Sequence, residues 1–337
     1  MRFLLRSLAH TVLAAAWLLV SFLLPASAAC EGTDLIKALP EHERARLVGR
    51  AARAPYGEGL LWHAVRGDTR ITIFGTYHFR HDDTDAHLAA LTPLIDAADT
   101  VWLEVSNADA KALQARMAED PSLMFLTSGP TLIDLLGDED WEKLADEFRA
   151  RQIPPIIASR FKPIWAAMML GIGPCEARSG VLEAKGIDEL IGMRTAAKGN
   201  PSRSLEDAVE ILSLLDTFPQ EKQLDMLRLF FDFDIDPDDL AHTMKVRYLS
   251  QDTALLWEFS RKMSLEQGGP TAAEDFATFE TALLDGRNRD WVRRMTGDDF
   301  SGDAFVAVGA AHLPGETGVL NLLAKKGFSI TRLPFAP

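Results

Sequence analysis

ITIFGTYH, residues 71–78, and FVAVGAAH, residues 305–312, are two copies of one pattern. Each begins with a short run typical of a β-strand and continues with a glycine, two further residues and a histidine. Glycine allows a chain to turn sharply as it leaves a sheet, so the pattern predicts that His78 and His312 stand at the carboxyl ends of strands. Ligands bind at this edge of α/β sheets. The sequence therefore predicts an α/β body with a site there.

A third predicted strand, residues 100–105 (TVWLEV), carries Glu104 near its carboxyl end. A carboxylate is an unusual choice directly after an apolar run. Either histidine alone is more typical of an ordinary loop, but the two histidines together with Glu104 indicate a functional site. We expect all three side chains to meet in one solvent-accessible hollow.

The remaining strand signals lie towards the two ends of the chain. Residues 60–65 and 70–74 predict a hairpin with a turn at Gly67-Asp68, and residues 328–333 predict a closing strand. Residues 202–205 fit a short strand or, alternatively, the capped start of a helix. We therefore predict a mixed sheet that joins the N- and C-terminal parts of an α/β fold, with α+β as the alternative.

From about residue 207 to about residue 297 the sequence shows amphipathic helical periodicity and almost no strand signal. We interpret this stretch as a helical segment inserted into the α/β frame. Residues 181–197 also fit a helix. The mature chain, residues 29–337, is predicted to be a single domain.

Residues 1–28 are typical of a secretory signal peptide. Arg2 and Arg6 precede an apolar run, and Ala26-Ser27-Ala28 offers a cleavage site. An uncleaved membrane anchor is the alternative. No later stretch is long and apolar enough to span a bilayer. We therefore expect an exported protein, periplasmic or secreted, without an integral membrane segment after cleavage.

The chain has two cysteines, Cys30 and Cys175. In an oxidising compartment a single pair favours a disulfide, which would fasten the mature N-terminus to the body of the protein. Lipid attachment at Cys30 is the alternative. However, Ser27 stands where a lipoprotein signal needs a large apolar residue.

The charge of the chain argues against one class of partner. The sequence has 49 Asp and Glu against 35 Lys and Arg, a formal charge of −14. Binding to nucleic acid depends on clustered basic residues, so we expect no nucleic-acid partner. A peptide or a small molecule is the expected substrate, and the sequence leaves the oligomeric state open.

Several short motifs together resemble the TraB/GumN family, which is related to the Tiki-type proteases and, more distantly, to the erythromycin-esterase and ChaN-like proteins. The resemblance covers nearly the whole mature chain. It implies an α/β body with a helical insertion, and a site made of the two G-x-x-H histidines and the glutamate. The motifs are Gly75–His78, Val101–Glu104, Gly186–Asp188, Leu205-Glu206, Arg287-Asn288 and the most distinctive string, Val308–Gly315.

For the Tiki branch the resemblance further implies a peptidase that depends on a divalent metal. Two imidazoles and a carboxylate are a common ligand set for a catalytic cation, so His78, Glu104 and His312 are the expected ligands of a Mn, Co or Zn ion. Such an ion lowers the pKa of a bound water and polarises a carbonyl. Alternatively, Glu104 lies just off the metal as general base. The H-E-x-x-H motif of zincins is absent.

Four further residues are candidates for the site. Arg287 could clamp a carboxylate or a phosphate, and Asn288 could add a ligand or donate to a developing oxyanion. A charged helix end is the ordinary interpretation of both. Asp188 and Glu206 could orient the metal ligands from outside, or they could be helix-start carboxylates favoured by the helix dipole.

Taken together, the residues and the resemblance predict a metal-dependent, peptidase-like hydrolase. One alternative is a metal-independent, esterase-like hydrolase with a histidine as base. The other is a non-enzymatic protein that binds haem, iron or a peptide. A haem binder would need a wide apolar slot beside one exposed ligand.

Overall fold

The structure is a computed structural model that describes residues 30–232, 235–297, 300 and 302–336. The chain divides into two units, residues 1–31 and residues 32–337, and the sheet and helices below belong to the second. The predicted signal peptide lies outside the described residues, so the signal and the domain boundary behind it stay predictions. None of the helices in the described part of the chain has the length and hydropathy that a membrane crossing requires.

Six strands form one mixed sheet. They are β1 (Leu61–Arg66), β2 (Thr69–Thr76), β3 (Thr100–Leu103), β4 (Arg203–Ser204), β5 (Asp303–Gly309) and β6 (Ser329–Arg332). Across the sheet the order is β4-β3-β5-β2-β1-β6; the first four run parallel, and β1 is antiparallel to both of its neighbours. The predicted hairpin and the mixed sheet that joins both ends of the chain are confirmed.

Strand β5 lies in the middle of the sheet, between β3 and β2. It is apolar and buried from Ala304 to Val308, which is typical of a parallel strand with both faces covered. Thr76 of β2 pairs with Gly309 of β5, and Leu103 of β3 pairs with Ala307. The carboxyl ends of β2, β3 and β5 therefore lie side by side, each shortly before one of the predicted site residues.

Most of the remaining chain is helical. The helices in the described residues are α1 (Leu35–Ala38), α2 (Glu41–Ala51), α3 (Thr84–Ala97), α4 (Asn107–Glu119), α5 (Leu132–Leu136), α6 (Asp138–Ala150), α7 (Pro155–Ala158), α8 (Pro163–Leu170), α9 (Pro174–Arg178), α10 (Ile187–Ala197), α11 (Ala208–Asp216), α12 (Gln220–Asp232), α13 (Pro237–Leu249), α14 (Thr253–Gln267), α15 (Ala272–Glu280), α16 (Arg287–Met295) and α17 (Val319–Lys325). A π-helical turn, Thr281–Gly286, joins α15 to α16. From α11 to α16 the described residues contain no strand, which confirms the predicted helical segment.

Helices cover both faces of the sheet. Consecutive residues of a strand point to opposite faces, and Ile73 and Phe74 of β2 accordingly belong to different buried clusters. Ile73 shares its cluster with Trp291 of α16. Phe74 shares the other with Leu91 of α3 and Ile187 of α10. The sheet is therefore held between α16 on one side and α3 with α10 on the other.

The helix predicted over residues 181–197 begins only at Ile187. Gly186 before it is extended, with a ψ of 173°. A Cβ at Gly186 would lie 1.9 Å from the carbonyl oxygen of His78, so only glycine allows this close approach of the two backbones. Residues 181–184 form turns instead of helix.

Both cysteines of the chain, Cys30 and Cys175, are disulfide-bonded. The described residues contain no free cysteine. The predicted disulfide is therefore confirmed.

Candidate active site

Glu104 follows β3 and lies at the centre of the site. Its Oε1 accepts a hydrogen bond from the backbone N–H of Gly309, and its Oε2 accepts one from Nη2 of Arg287, each at 2.6 Å. The carboxylate is mostly buried. Glu104 thereby connects the ends of β3 and β5 to the start of α16.

Arg287, the first residue of α16, is bound by two carboxylates. Besides Glu104, it contacts Glu206 through Nε at 2.9 Å and through Nη2 at 2.5 Å. Its Nη1 donates to the carbonyl of Leu283 and faces Nε2 of His312. The two-point contact with a carboxylate is geometrically specific. All five N–H groups of the guanidinium thus face acceptors of the protein itself.

His312 follows β5 and is only 4% exposed. Its Nδ1 lies 2.6 Å from Oδ1 of Asn288, while Nδ2 of Asn288 donates to the carbonyl of Thr317. Because the amide nitrogen is engaged there, the amide oxygen faces the ring and Nδ1 of His312 carries a hydrogen. The opposite nitrogen, Nε2, lies 3.3 Å from Nη1 of Arg287 and 3.9 Å from Oε1 of Glu104.

His78 follows β2 and is the exposed histidine of the site, with 57% of its side chain accessible. Its Nδ1 lies 3.1 Å from Oδ2 of Asp188, at the start of α10. A Cβ built on Gly309 would lie 3.1 Å from Nε2 of His78 and 3.2 Å from Oε1 of Glu104. Because Gly309 has no side chain, it leaves a small space that His78 and Glu104 both border.

The structure brings all the predicted site residues to one place. The sequence suggested that Asp188 and Glu206 either orient the metal ligands from outside or are helix-start carboxylates. In the structure, Asp188 contacts His78 directly and Glu206 contacts Arg287 directly. Direct contacts join Glu104, Glu206, Arg287, Asn288 and His312, while His78, which contacts Asp188, borders the same space at Gly309 as Glu104. The chemical roles assigned to them from the sequence stay predictions.

Residues 60–332, from the first strand to the last, match the model of the TraB/PrgY/gumN family. The chain belongs to the TraB/PrgY/gumN family. The resemblance carried by the sequence motifs is thus confirmed. No curated protein and no solved structure matches the chain.

In this TraB/PrgY/gumN chain the two G-x-x-H glycines allow neighbouring atoms to approach the backbone closely. They do not provide the sharp turn that the sequence predicted. Neither is among the glycines with positive φ in the described residues. A Cβ at Gly75 would lie 2.7 Å from Cδ1 of Leu313 and 3.1 Å from Cα of Ala310. At Gly309 it would enter the space within the site. The first glycine therefore serves packing, and the second keeps the site open.

The two G-x-x-H histidines differ in charge. Burial lowers the pKa of His312 to about 3, and the guanidinium of Arg287 adds to this effect. Desolvation also disfavours the charge on His78, but the carboxylates of Asp188 and Glu104 outweigh it and raise its pKa to about 9. At neutral pH, His312 is therefore neutral and His78 is protonated.

The two glutamates also differ. Burial opposes the charge of Glu104, but the two histidines and Arg287 outweigh it and lower its pKa to about 2. Since His312 is neutral at pH 7, protonated His78 and Arg287 supply this attraction there. Burial raises the pKa of Glu206 above its ordinary value, although Arg287 opposes the change.

The donor atoms suit a divalent cation in kind. Asp188 and Asn288 hold Nδ1 of the two histidines, which is the arrangement that orients ligating imidazoles by their second nitrogen. The set is not closed, however. Within the described residues no three His, Cys, Asp or Glu side chains lie near enough to enclose an ion, and Arg287 places a fixed positive charge beside the donors. A metal here stays a prediction.

Trp291 is a residue of this site that the sequence analysis missed. Its ring centroid lies 4.4 Å from that of His312, and the guanidinium of Arg287 lies 4.8 Å from the same ring. Its indole N–H donates to Glu206 at 2.9 Å. Trp291 follows Arg287 by four residues and Asn288 by three, which places all three on one face of α16. This spacing is the signal that could have revealed it.

A cavity of about 620 Å³ lies beside His78, and Asp188 and Gly186 also line it. Its volume falls in the range of about 300–1,000 Å³ that is usual for small-molecule sites. The exposed histidine of the site therefore borders a space that can hold part of a peptide or a small molecule.

Proposed function

We propose that this protein is a hydrolase that cleaves amide bonds in peptides. Its centre would be the cluster of Glu104, Arg287 and the two G-x-x-H histidines. The observation that carries the proposal is that strand ends far apart in the sequence deliver two imidazoles and a carboxylate to one place, beside a cavity. Titratable groups with strongly shifted pKa values in such a place are typical of active sites. The resemblance to the Tiki-type proteases supports the same activity.

Without a bound metal, His78 transfers the proton. Asp188 holds its Nδ1, so Nε2 is fixed beside the space left by Gly309. A ring that is protonated at neutral pH suits donation of a proton to the leaving amine. Water attacks the carbonyl carbon, the C–N bond breaks as the amine takes the proton, and the proton lost by the attacking water returns to Nε2 of His78.

Arg287 stabilises negative charge that develops on the attacked carbonyl. Its N–H groups face Glu104, Glu206 and other groups of the protein, so it acts through its charge and not as a hydrogen-bond donor to substrate. Because these contacts hold it in place, it needs no reorganisation during the reaction. Glu104 and His312 keep the centre ordered around this charge.

A divalent cation, if bound, would be held by His78, Glu104 and His312, with Nε2 of His78 then carrying no proton, and it would supply an activated water and polarise the carbonyl. A metal-independent hydrolase, in which protonated His78 is the acid, is the second candidate. The position of Arg287 favours it, because the guanidinium already supplies a positive charge beside Glu104 and His312.

We also propose that the protein acts outside the cytoplasm. The disulfide formed by Cys30 and Cys175 supports this location, because such bonds persist in oxidising compartments. The predicted signal at residues 1–28 agrees with it. Cell fractionation with N-terminal sequencing tests the proposal: a mature chain that begins at Ala29 in the periplasm or medium supports it, and a cytoplasmic chain with an intact N-terminus contradicts it.

Hydrolysis is tested by incubating the purified protein with a pool of peptides and identifying new chain ends by mass spectrometry. Glu104→Gln, which removes the charge but keeps the shape, and His312→Ala should each abolish cleavage. Arg289→Ala alters an exposed residue of α16 and should retain the full rate. If the unaltered protein cleaves nothing, with or without added Mn²⁺, Co²⁺ or Zn²⁺, the proposed activity is wrong.

Chelation separates the two candidates. A metal-dependent enzyme loses its rate on treatment with a chelator and recovers it with one added metal, and His78→Ala lowers the bound metal measured by elemental mass spectrometry. A rate unchanged by chelation supports the metal-independent candidate. A Soret band in the visible spectrum would instead support haem binding.

A further inference from the structure

The cavity beside His78 continues away from the catalytic cluster. His78, Asp188 and Gly186 form one part of its lining, and helix α4 with the turns at residues 181–184 forms the rest. Whatever fills the cavity therefore lies next to the reacting group. This continuity makes it a candidate subsite for the substrate.

One wall of the cavity is a single face of α4. Asn107, Ala110, Lys111 and Gln114 line it, at the i, i+3, i+4 and i+7 spacing that shares one helix face. None of the 13 residues of this helix is buried. The side chains on this face are accessible to a ligand.

Another part of the lining is apolar. Val181 and Leu182 form it, together with Phe79 and Val105 nearer the sheet. Leu182 is 44% exposed in spite of its size. Burial of such a side chain against a ligand is favourable by about 25 cal/mol for each Å² removed from water. An aliphatic or aromatic group of the substrate fits this wall.

The charges of the cavity are compensated except at Lys111. Asp188 pairs with His78, and Glu189 pairs with Lys185. Among the ion pairs of the described residues, none involves Lys111, and its side chain is exposed. In a chain with 49 acidic and 35 basic residues, this unpaired cation gives the cavity a local preference for an anionic group.

We propose that this cavity binds an extended peptide segment that carries a bulky apolar side chain next to the cleaved bond and a carboxylate within reach of Lys111. The inference rests on the proposed peptidase function and adds the substrate class. The carboxylate can come from an Asp or Glu side chain or from a free C-terminus, since both offer the same acceptor.

The test uses eight hexapeptides that combine Leu or Ser, Glu or Gln, and a free or an amidated C-terminus. With the unaltered protein we expect kcat/KM to be highest for the Leu peptides that carry a carboxylate. Comparison of the Glu peptide with an amidated end and the Gln peptide with a free end shows which source of carboxylate is read. Lys111→Glu should lower kcat/KM about tenfold, equivalent to about 1.4 kcal/mol, for the Leu peptide whose carboxylate is read. It should change kcat/KM little for the Leu peptide that has Gln and an amidated end.

Leu182→Asp should remove the preference for Leu over Ser. The matched control is Arg116→Glu, which makes the same charge change on the same helix outside the cavity lining and should leave every preference intact. Cleavage with unchanged preferences in Lys111→Glu and Leu182→Asp would overturn the subsite and leave the peptidase proposal standing.

Fluorescence anisotropy with a labelled Leu-Glu hexapeptide tests the subsite without turnover. Weaker binding to Lys111→Glu and Leu182→Asp, but not to Arg116→Glu, supports the subsite even if no peptide is cleaved, in which case the hydrolase proposal fails alone. Equal binding to all variants overturns the subsite.

Discussion

The two G-x-x-H segments have the same sequence pattern and opposite surroundings. The first delivers His78 to an exposed position, where Asp188 holds its Nδ1 and the pKa is raised to about 9. The second delivers His312 to a buried position, where Asn288 holds its Nδ1 and the pKa is lowered to about 3. The two pKa values differ because His78 has a charged partner and is exposed to water, whereas His312 has a neutral partner and is buried.

This difference shows that the G-x-x-H motif determines where each histidine lies, whereas the neighbouring residues determine its protonation state. Both strands end at one edge of the sheet because they are parallel neighbours. The protonation state then depends on residues from other parts of the chain, Asp188 on α10 and Asn288 on α16. One ring is prepared to give a proton and the other to offer a lone pair.

Removal of Arg287 should have the largest effect, because it breaks the centre that both histidines share. Arg287→Ala leaves Glu104 and Glu206 mostly buried without their cation. Loss of one partner of such a pair costs about 3–5 kcal/mol. We expect the free energy of unfolding, measured with urea at pH 7, to fall by that amount. Arg289→Ala, an exposed change in the same helix, should change it by no more than about 0.5 kcal/mol, and a similar loss in both variants would contradict the role of the buried network.

A second pair of histidines, His81 and His87, follows the first G-x-x-H segment in the chain. His81 and His87 are buried with their ring centroids 5.0 Å apart. Within the described residues, neither ring nitrogen of His81 has a hydrogen-bond partner. Burial lowers the pKa of His81 to about 4 and also lowers that of His87.

Since these folded-state values lie below the ordinary pKa of 6.5, the unfolded chain takes up protons that the folded protein does not. The free energy of unfolding should therefore fall as the pH drops from 6.5 towards 4, by up to about 1.4 kcal/mol per pH unit from His81, and His87 should add to the fall. Urea unfolding at several pH values measures the slope. His81→Phe, which cannot titrate, should reduce the slope by about one proton, and an unchanged slope would refute the assignment.

Substitution of Gly75 and substitution of Gly309 should have different effects on stability and on the cleavage rate. Gly75→Ala forces a methyl group against Leu313 and Ala310 and should cost about 1–3 kcal/mol of stability, as overpacking usually does. Gly309→Ala meets only the ends of the His78 and Glu104 side chains. It should cost less stability but should lower the cleavage rate about tenfold or more, because misplaced reacting groups are slow. Thermal unfolding and peptide cleavage of both variants give the comparison, and equal behaviour would remove the distinction.

The smallest effect is expected from replacement of Asp188, the partner of His78. Asp188→Asn replaces the charged partner of His78 with a neutral one of the same shape, as His312 already has. The pKa of His78 should fall by about 1–2 units from its raised value, since a nearby opposite charge shifts a pKa by about that amount. An NMR titration of the ring protons measures it, with His312 as the internal control. A constant pKa at His78 would show that Asp188 does not set its charge.

The sequence predicted the parts of the molecule that depend on local pattern. Apolar runs ending in glycine identified β2 and β5, and the shared edge of parallel strands brought His78 and His312 to Glu104. The disulfide followed from the presence of only two cysteines in the chain.

The features that the sequence did not predict depend on tertiary contacts. The delayed start of α10 follows from the close approach of Gly186 to the backbone of His78, which lies more than a hundred residues earlier. The role of Trp291 and the opposite charge states of the two histidines likewise require knowledge of which residues become neighbours. Periodicity carries no information of that kind.

The position of β5 in the chain has a consequence for biosynthesis. A ribosome must translate all of the chain up to Asp303 before this central strand begins to form. Until then β2 and β3 lack the partner that separates them in the finished sheet, and the nascent polypeptide has no second imidazole to complete the cluster. Sheets closed by such distant segments form slowly, so the cluster assembles only after His312 has been synthesised, and fragments released before that point lack it.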